Sequence, residues 1–206
     1  MDNPARTSAH LARIDTRRRD LEIWCAEAFA GRSRFVLEIG CGHGHFLTAY
    51  AQAHPDELCV GVDIELDRIE RALRKQRRSG FPNLHFVRAE GRLFLEALPR
   101  GVRATAIYVL FPDPWPKRRH HKNRLLSPSF LECLADKAFA GARLYFRTDY
   151  ASYFTEALRA AGASASWAVG DEAWPFEAPT IFQERAREYH SFVAFRRADF
   201  QSGKRE

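Results

Sequence analysis

Asp113 sits in the run Phe111-Pro-Asp-Pro-Trp-Pro-Lys, and five Lys/Arg and two His follow within the eight residues Lys117 to Arg124. Three prolines in five residues each fix φ and remove a backbone donor, so the segment is a stiff loop. It follows Ala104-Thr-Ala-Ile-Tyr-Val-Leu-Phe111, an apolar, β-branched run that reads as a buried strand. Asp113 and Trp115 are therefore expected at the carboxyl end of a strand, where open α/β sheets bind ligands. A carboxylate, an aromatic ring and a dense cationic run together suit a nucleic acid whose base is presented to the carboxylate. The bland reading of the same residues is a turn former, a lid on the core and a solvated charged face.

A second group of residues raises the chemical reading above the bland one. Phe35-Val-Leu-Glu-Ile39 is a strand running into Gly40-Cys-Gly-His-Gly44 and a helix over 45–53. Gly40 and Gly42 permit positive φ and the close approach of a ligand to the backbone. The third glycine comes two residues after the second, so the dinucleotide fingerprint Gly-x-Gly-x-x-Gly is not met. Glu38 is a carboxylate inside an apolar strand, costly unless paired, and suits a cationic ligand or a hydrogen bond that shapes the turn. Asp63 ends the second strand and is placed to accept from ribose hydroxyls, with a helix N-cap as the equal alternative. Glu90 follows the third strand, placed to meet an adenine edge. Acids after each of three successive strands form a set.

The elements that must position these groups follow from periodicity. Residues 8 to about 30 alternate apolar and basic positions at helical spacing, with Arg17, Arg18 and Arg19 on the wet side. Strands are expected at 58–62, 84–88 and 142–147, and helices at 66–78, 127–139 and 150–161. Segments 166–169 and 191–195 read as a closing antiparallel pair at a sheet edge. The helix at 66–78 carries Arg68, Arg71, Arg74, Lys75, Arg77 and Arg78. Between the last two strands, Trp174 to Arg185 holds too many aromatics to be a spacer.

Composition narrows the class. A chain of 206 residues with 46% apolar content fits one α/β domain with a sizeable core. The net charge of +6 favours polyanionic partners. Cys25, Cys41, Cys59 and Cys133 are scattered, so neither a disulfide framework nor a zinc site is expected, and reduced thiols point to a cytoplasmic setting. Neither a signal peptide nor a membrane-spanning stretch is read in the sequence.

Strand–Glu-x-Gly-x-Gly-x-Gly–helix, acids after strands two and three, and Phe-Pro-Asp-Pro-Trp-Pro-Lys after strand four together resemble the bacterial tRNA (guanine-N7-)-methyltransferase family, a class I S-adenosylmethionine-dependent group. The resemblance runs from about Phe35 to Arg197. It implies a Rossmann-like α/β fold, a mostly parallel seven-stranded sheet with helices on both faces. The methyltransferase domain would occupy 34–200, between a helical extension over 1–33 and a polar tail over 201–206. It further implies that Glu38, Gly40, Gly42, Asp63, Glu90 and Asp113 line an S-adenosylmethionine site, with Asp113 also catalytic. Lys117 and Asp149 would contact substrate, Arg119, His120, His121, Lys122 and Arg124 would bind tRNA, and a loop with Thr180 and Gln183 would complete the site. No metal is implied, and the oligomeric state, monomer or homodimer, stays open. Asp63 and Glu90 are Asp/Glu exchanges relative to the family pattern. The family's Thr-x-Phe-Glu is Thr180-Ile-Phe-Gln183 here, which bears on base selection, and Asn123 replaces a basic residue. A methyltransferase of another RNA or base and a non-catalytic RNA-binding relative are the alternatives. The glycine spacing disfavours an NAD-dependent enzyme.

Overall fold

The computed structural model describes residues 4–178 and 188–198, with side chains from Ile14 onward. Chain order gives α1 (Pro4–Ala28), β1 (Arg34–Ile39), α2 (His45–Ala53), β2 (Cys59–Asp63), α3 (Leu66–Ser79), β3 (Leu84–Arg88), α4 (Gly91–Ala97) and β4 (Arg103–Leu110). A 3-10 helix (Arg118–Asn123), α5 (Pro128–Asp136), β5 (Ala138–Thr148), α6 (Ala151–Ala163), β6 (Trp167–Gly170) and β7 (His190–Arg196) follow. The seven strands form one sheet in the order β3-β2-β1-β4-β5-β7-β6. All pairings are parallel except those of β7, which runs antiparallel to both β5 and β6. The expected edge pair is therefore present, with β7 inserted beside β5 and β6 outermost. No helix among the described residues is long and apolar enough to cross a membrane.

Both faces of the sheet are covered, so the central strands are nearly continuous apolar runs. Phe35, Leu37 and Ile39 of β1 face a core shared with α1, α4, α5 and α6, while Val36 faces a core with α2 and α3. Glu38, two residues on from Val36, lies on the α2–α3 side because side chains alternate along a strand. Leu21, Cys25 and Phe29 are buried in the same core as β1, so the second half of α1 packs as part of the domain. Arg17, Arg18 and Arg19 are exposed as expected, and Arg18 pairs with Glu96 at 2.8 Å.

Around the third and fourth crossovers the structure departs from the sequence reading. The helix expected over 127–139 is shorter: Ser127 is its N-cap, accepting from Phe130 N, and α5 ends at Asp136 because Ala138 joins the ladder opposite Ala104 of β4. Strand β5 consequently begins four residues early. The seven-residue α4, absent from the sequence reading, opens directly on the Glu90 cap.

Candidate active site

The strand order reverses direction between β1 and β4, and a cleft of about 230 Å³ opens there at the carboxyl ends of the strands. Gly40, Asp63, Glu90, Asp113, Trp115 and Asn123 all line it. Four separate connections thus deliver residues 83 positions apart in sequence to one cavity.

The glycine turn forms the first wall. Gly40, Gly42 and Gly44 have φ of 76°, 54° and 70°, values that L side chains rarely adopt. A Cβ on Gly40 or Gly42 would meet no protein atom within 4 Å. On Gly44 it would strike the Phe86 ring at 2.5 Å. The first two glycines therefore keep a space open, and the third lets the turn press onto β3. Asp63 pins this turn: one carboxylate oxygen accepts from Gly42 N and the other from Glu65 N, both at 2.9 Å. The N-cap position of α3 is Glu65, so the N-cap alternative for Asp63 fails. Asp63 also lines the cleft.

Glu38 lies behind the turn, 3% exposed. Its carboxylate accepts a backbone hydrogen bond from Leu47. Its Oε2 has no hydrogen-bond partner among the described residues. Burial first, and the neighbouring Asp63 charge second, hold this carboxyl well above the usual carboxylate range, with the Leu47 N–H opposing. A buried, underpaired acid beside another acid is costly and marks a functional position.

Glu90 plays a second part beyond the one expected of it. As the cap of α4 it accepts from Arg92 N at 3.0 Å and Leu93 N at 2.9 Å, one bond to each oxygen. Ile64 and Ala89, which the sequence reading passed over, line the cleft beside it and continue into an adjoining cavity of about 500 Å³ walled by Leu21 and Trp24 of α1. Ile64 is 55% exposed, an apolar surface suited to the flat face of a ring. Its signal was available: an apolar residue directly after the acid that ends β2.

The loop after β4 forms the opposite wall. Phe111 and Trp115 have φ of 49° and 44°, uncommon for non-glycine residues and worth about 1–3 kcal/mol of strain each unless held. Asp113 is exposed at the mouth, and Trp115, also exposed, stacks on His120 with centroids 5.8 Å apart. Arg119 Nε donates to His120 Nε2. His121 reaches Glu156 of α6 at 3.1 Å. The histidines expected as phosphate contacts are thus half-buried supports of the loop.

Arg124 departs furthest from expectation. It is 5% exposed, donates to Pro114 O at 2.9 Å, Glu156 and Ser152, and lies over the Tyr153 ring at 5.0 Å. This guanidinium bolts the proline loop to α6 and is withdrawn from the cationic surface. Lys117, Arg118, Arg119 and Lys122 remain exposed.

Asp149 is exposed at the carboxyl end of β5, outside the residues that line the cleft. Just before it, Arg147 is 4% exposed and accepts Phe111 N on its backbone oxygen. Its guanidinium makes a bidentate pair with Glu177 at 2.8 and 2.9 Å and lies over Trp174 at 3.9 Å and Tyr189 at 4.6 Å. The aromatic segment before Thr180 is therefore packed, as its composition suggested, with Trp174 against Tyr108 and Tyr145, and Phe176 against Phe46 and Tyr50. Thr180 and Gln183 lie outside the described residues.

The model of the family described as "Putative methyltransferase" matches residues 32–193. A tRNA (guanine-N(7)-)-methyltransferase of Nitrosomonas europaea is 32% identical over 154 residues, 73% of this chain and 69% of that protein. The protein of the same name from Thermus thermophilus is 35% identical over 143 residues, 69% of this chain but 46% of that protein. One from Hyphomonas neptunium is 40% identical over 130 residues, 63% of this chain and 59% of that protein. The chain spans about half the length of several relatives it matches. Among solved structures, a mutant 16S rRNA (adenine(1408)-N(1))-methyltransferase with cosubstrate SAM from Catenulisporales acidiphilia superimposes with a TM-score of 0.59 at 22% identity. That alignment covers 87% of this chain and 93% of the other, a likeness of fold. By the family match over most of its length and by these relatives, the chain belongs to the tRNA (guanine-N(7)-)-methyltransferase family.

Proposed function

We propose that this chain transfers a methyl group from S-adenosylmethionine to N7 of a guanosine in tRNA, in the variable loop. The observation that carries the reading is the cleft itself. Gly40, Asp63 and Glu90 line it below the exposed Asp113, and behind the glycine turn Glu38 holds a buried oxygen with no partner among the described residues.

These residues fit the methyl donor. Glu38 and the Gly40–Gly42 backbone would hold its methionyl amino group, since a cation relieves both the unpaired Oε2 and the repulsion from Asp63. Asp63 would accept from the ribose, and Ile64 with Ala89 would flank the adenine, whose polar edge falls to the free lone pairs of Glu90. When bound, S-adenosylmethionine supplies an electrophilic methyl on a sulfonium centre.

Guanine N7 carries a free lone pair at neutral pH, so the chain need not remove a proton. Its work is orientation and electrostatics. Asp113, held at the mouth by the proline loop, stabilises the positive charge that the purine gains. Trp115, backed by His120, offers a ring face for the target base to stack on. Lys117, Arg118, Arg119 and Lys122 contribute phosphate contacts, which fix position without reading sequence. Asp149, Thr180 and Gln183 are proposed to meet the guanine edge.

The test is to incubate the protein with bulk tRNA and methyl-labelled S-adenosylmethionine and map the labelled nucleotide. Label at N7 of a variable-loop guanosine is expected. Asp113→Ala should lower single-turnover transfer by about 100-fold or more, the scale of losing one charge-stabilising group, with tRNA affinity changed less than about twofold. Label on another base, or unimpaired transfer in Asp113→Ala, would overturn the assignment.

A further inference from the structure

Helix α3 carries six Lys/Arg against two Asp/Glu, a net +4 in a chain whose total is +6. The site described above uses only its first cation, Arg68, which lines the cleft and approaches Asp63 at 3.8 Å. We propose that the outer face of α3, led by Arg71, Arg74 and Arg78, is a second phosphate-binding surface that grips the RNA substrate on the side of the cleft opposite the Lys117–Lys122 run. This inference rests on the RNA-methylating reading.

The geometry is that of a stripe. Ile69 and Ala72 are buried against the sheet. At 100° per residue, Arg71, Arg74 and Arg78 fall within about 60° of one another on the opposite side. All three are exposed. From Arg71 to Arg78 the axis rises about 10 Å, roughly three steps of a duplex strand. The stripe begins at the cleft rim and runs away from it, because α3 leaves the carboxyl end of β2 and returns toward the start of β3.

A solvated helix face would balance its charges at i,i+4. Here Asp67–Arg71 at 3.2 Å is such a pair, while Arg74, Arg77 and Arg78 form no ion pair among the described residues. Cations in the last turn of a helix complement its dipole, which accounts for Arg77 and contributes at Arg78. It does not account for Arg71 or Arg74, which lie further back. The neighbouring α2, His45–Ala53, contains no acidic residue to neutralise the stripe. Its effect reaches the glycine turn: His43 is held below its ordinary value by burial first and then by Arg71, with Asp67 opposing and Arg68 and Lys75 adding. Five of the six cations are arginine, the side chain whose planar fork matches phosphate oxygens in pairs.

The test compares two triple variants of the full chain, Arg71→Gln/Arg74→Gln/Arg78→Gln and a control with equal charge loss, Arg32→Gln/Arg100→Gln/Arg159→Gln. The control positions are exposed and away from the cleft. Binding of bulk tRNA is measured from 50 to 200 mM KCl, with S-adenosylmethionine affinity and thermal midpoint alongside. The α3 variant should bind tRNA about tenfold or more weakly at 100 mM. Its log–log salt slope should flatten by up to about two to three units, with cofactor affinity and midpoint unchanged, and the control should stay within about threefold of wild type. Equal behaviour of the two variants, or lost affinity without a change of slope, would overturn the surface. Wild-type protein that binds tRNA but places no methyl on guanine N7 would defeat the proposed activity and leave the surface standing. Failure of wild type to bind tRNA would defeat both.

Discussion

On the β1–β2 side of the cleft the buried charges are carboxylates, Glu38 and Asp63, whereas on the β4–β5 side they are guanidiniums, Arg124 and Arg147. The two pairs differ in more than sign. Arg124 has an acceptor for each of its three nitrogens and aromatic rings against it. Arg147 fills a bidentate pair between two aromatic rings and leaves Nε without an acceptor among the described residues. Glu38, by contrast, lies beside a like charge, with one buried oxygen unpaired among the described residues. A buried charge paired with an opposite charge holds structure, and a buried acid left beside a like charge suits a cationic ligand. The arginines keep a proline loop with two non-glycine residues at positive φ in place. The acids shape a hole.

The sharpest way to break this contrast is Arg124→Ala. It leaves Glu156 with His121 as its remaining partner and frees Pro114 O, breaking a pair whose arginine side chain is 3% exposed and whose glutamate is 37% exposed. A fully buried broken pair costs about 3–5 kcal/mol, and the exposure of Glu156 reduces this to about 2–3 kcal/mol. Urea unfolding should show that loss, while Lys122→Ala, two residues away on the exposed face, should stay within about 0.5 kcal/mol of wild type. Equal stability of the two variants would mean that the bolt carries nothing.

Asp63→Ala probes the other wall. It removes both the proposed ribose acceptor and the pin on Gly42, so calorimetry should find S-adenosylmethionine bound about 5- to 150-fold more weakly, equivalent to about 1–3 kcal/mol. Global stability should change less than in Arg124→Ala, because Gly42 is partly exposed and Glu65 exposed, so water can replace the carboxylate at their N–H groups. Unchanged affinity would remove Asp63 from the cofactor site.

The two walls also differ in how far the sequence reveals them. Glu38 was legible because a lone acid in Phe-Val-Leu-Glu-Ile has no cheap explanation, and the glycine spacing needs no partner to be read. The strand and helix series was legible too, since its apolar periods are long and its turns short. Arg124 was not. Its burial depends on Tyr153 and Glu156, about thirty residues further on, and within a basic run one arginine looks like the next. Arg147 was hidden likewise, because Trp174, Glu177 and Tyr189 come from the segments on either side of 179–187. The cap role of Glu90 is hidden in the sequence because α4 is only seven residues long and opens on a glycine, too short for its period to show.

The smallest expected effect is the most direct test of the contrast. If Glu38 is underpaired because it awaits a cation, the ligand-free protein should be stabler with an uncharged side chain of the same shape. Its folded-state carboxyl lies above the ordinary range, so the folded chain binds this proton more tightly than the unfolded chain does. The sign follows: stability from this group is complete at pH below the ordinary carboxylate value and is lost as pH rises toward the raised folded value. Gln at this position mimics the protonated acid, can still accept from Leu47 N, and offers an NH₂ where Oε2 has no partner. Glu38→Gln should therefore melt with wild type near pH 4 and above it at pH 8. A gap of about 2–4 °C at pH 8 corresponds to ~1 kcal/mol for a chain of this size. Saturating S-adenosylmethionine should reverse the order, since wild type gains binding energy that the variant has lost. A gap that does not vary with pH, or a variant less stable throughout, would mean that Glu38 is satisfied in the folded chain and that both walls are built alike.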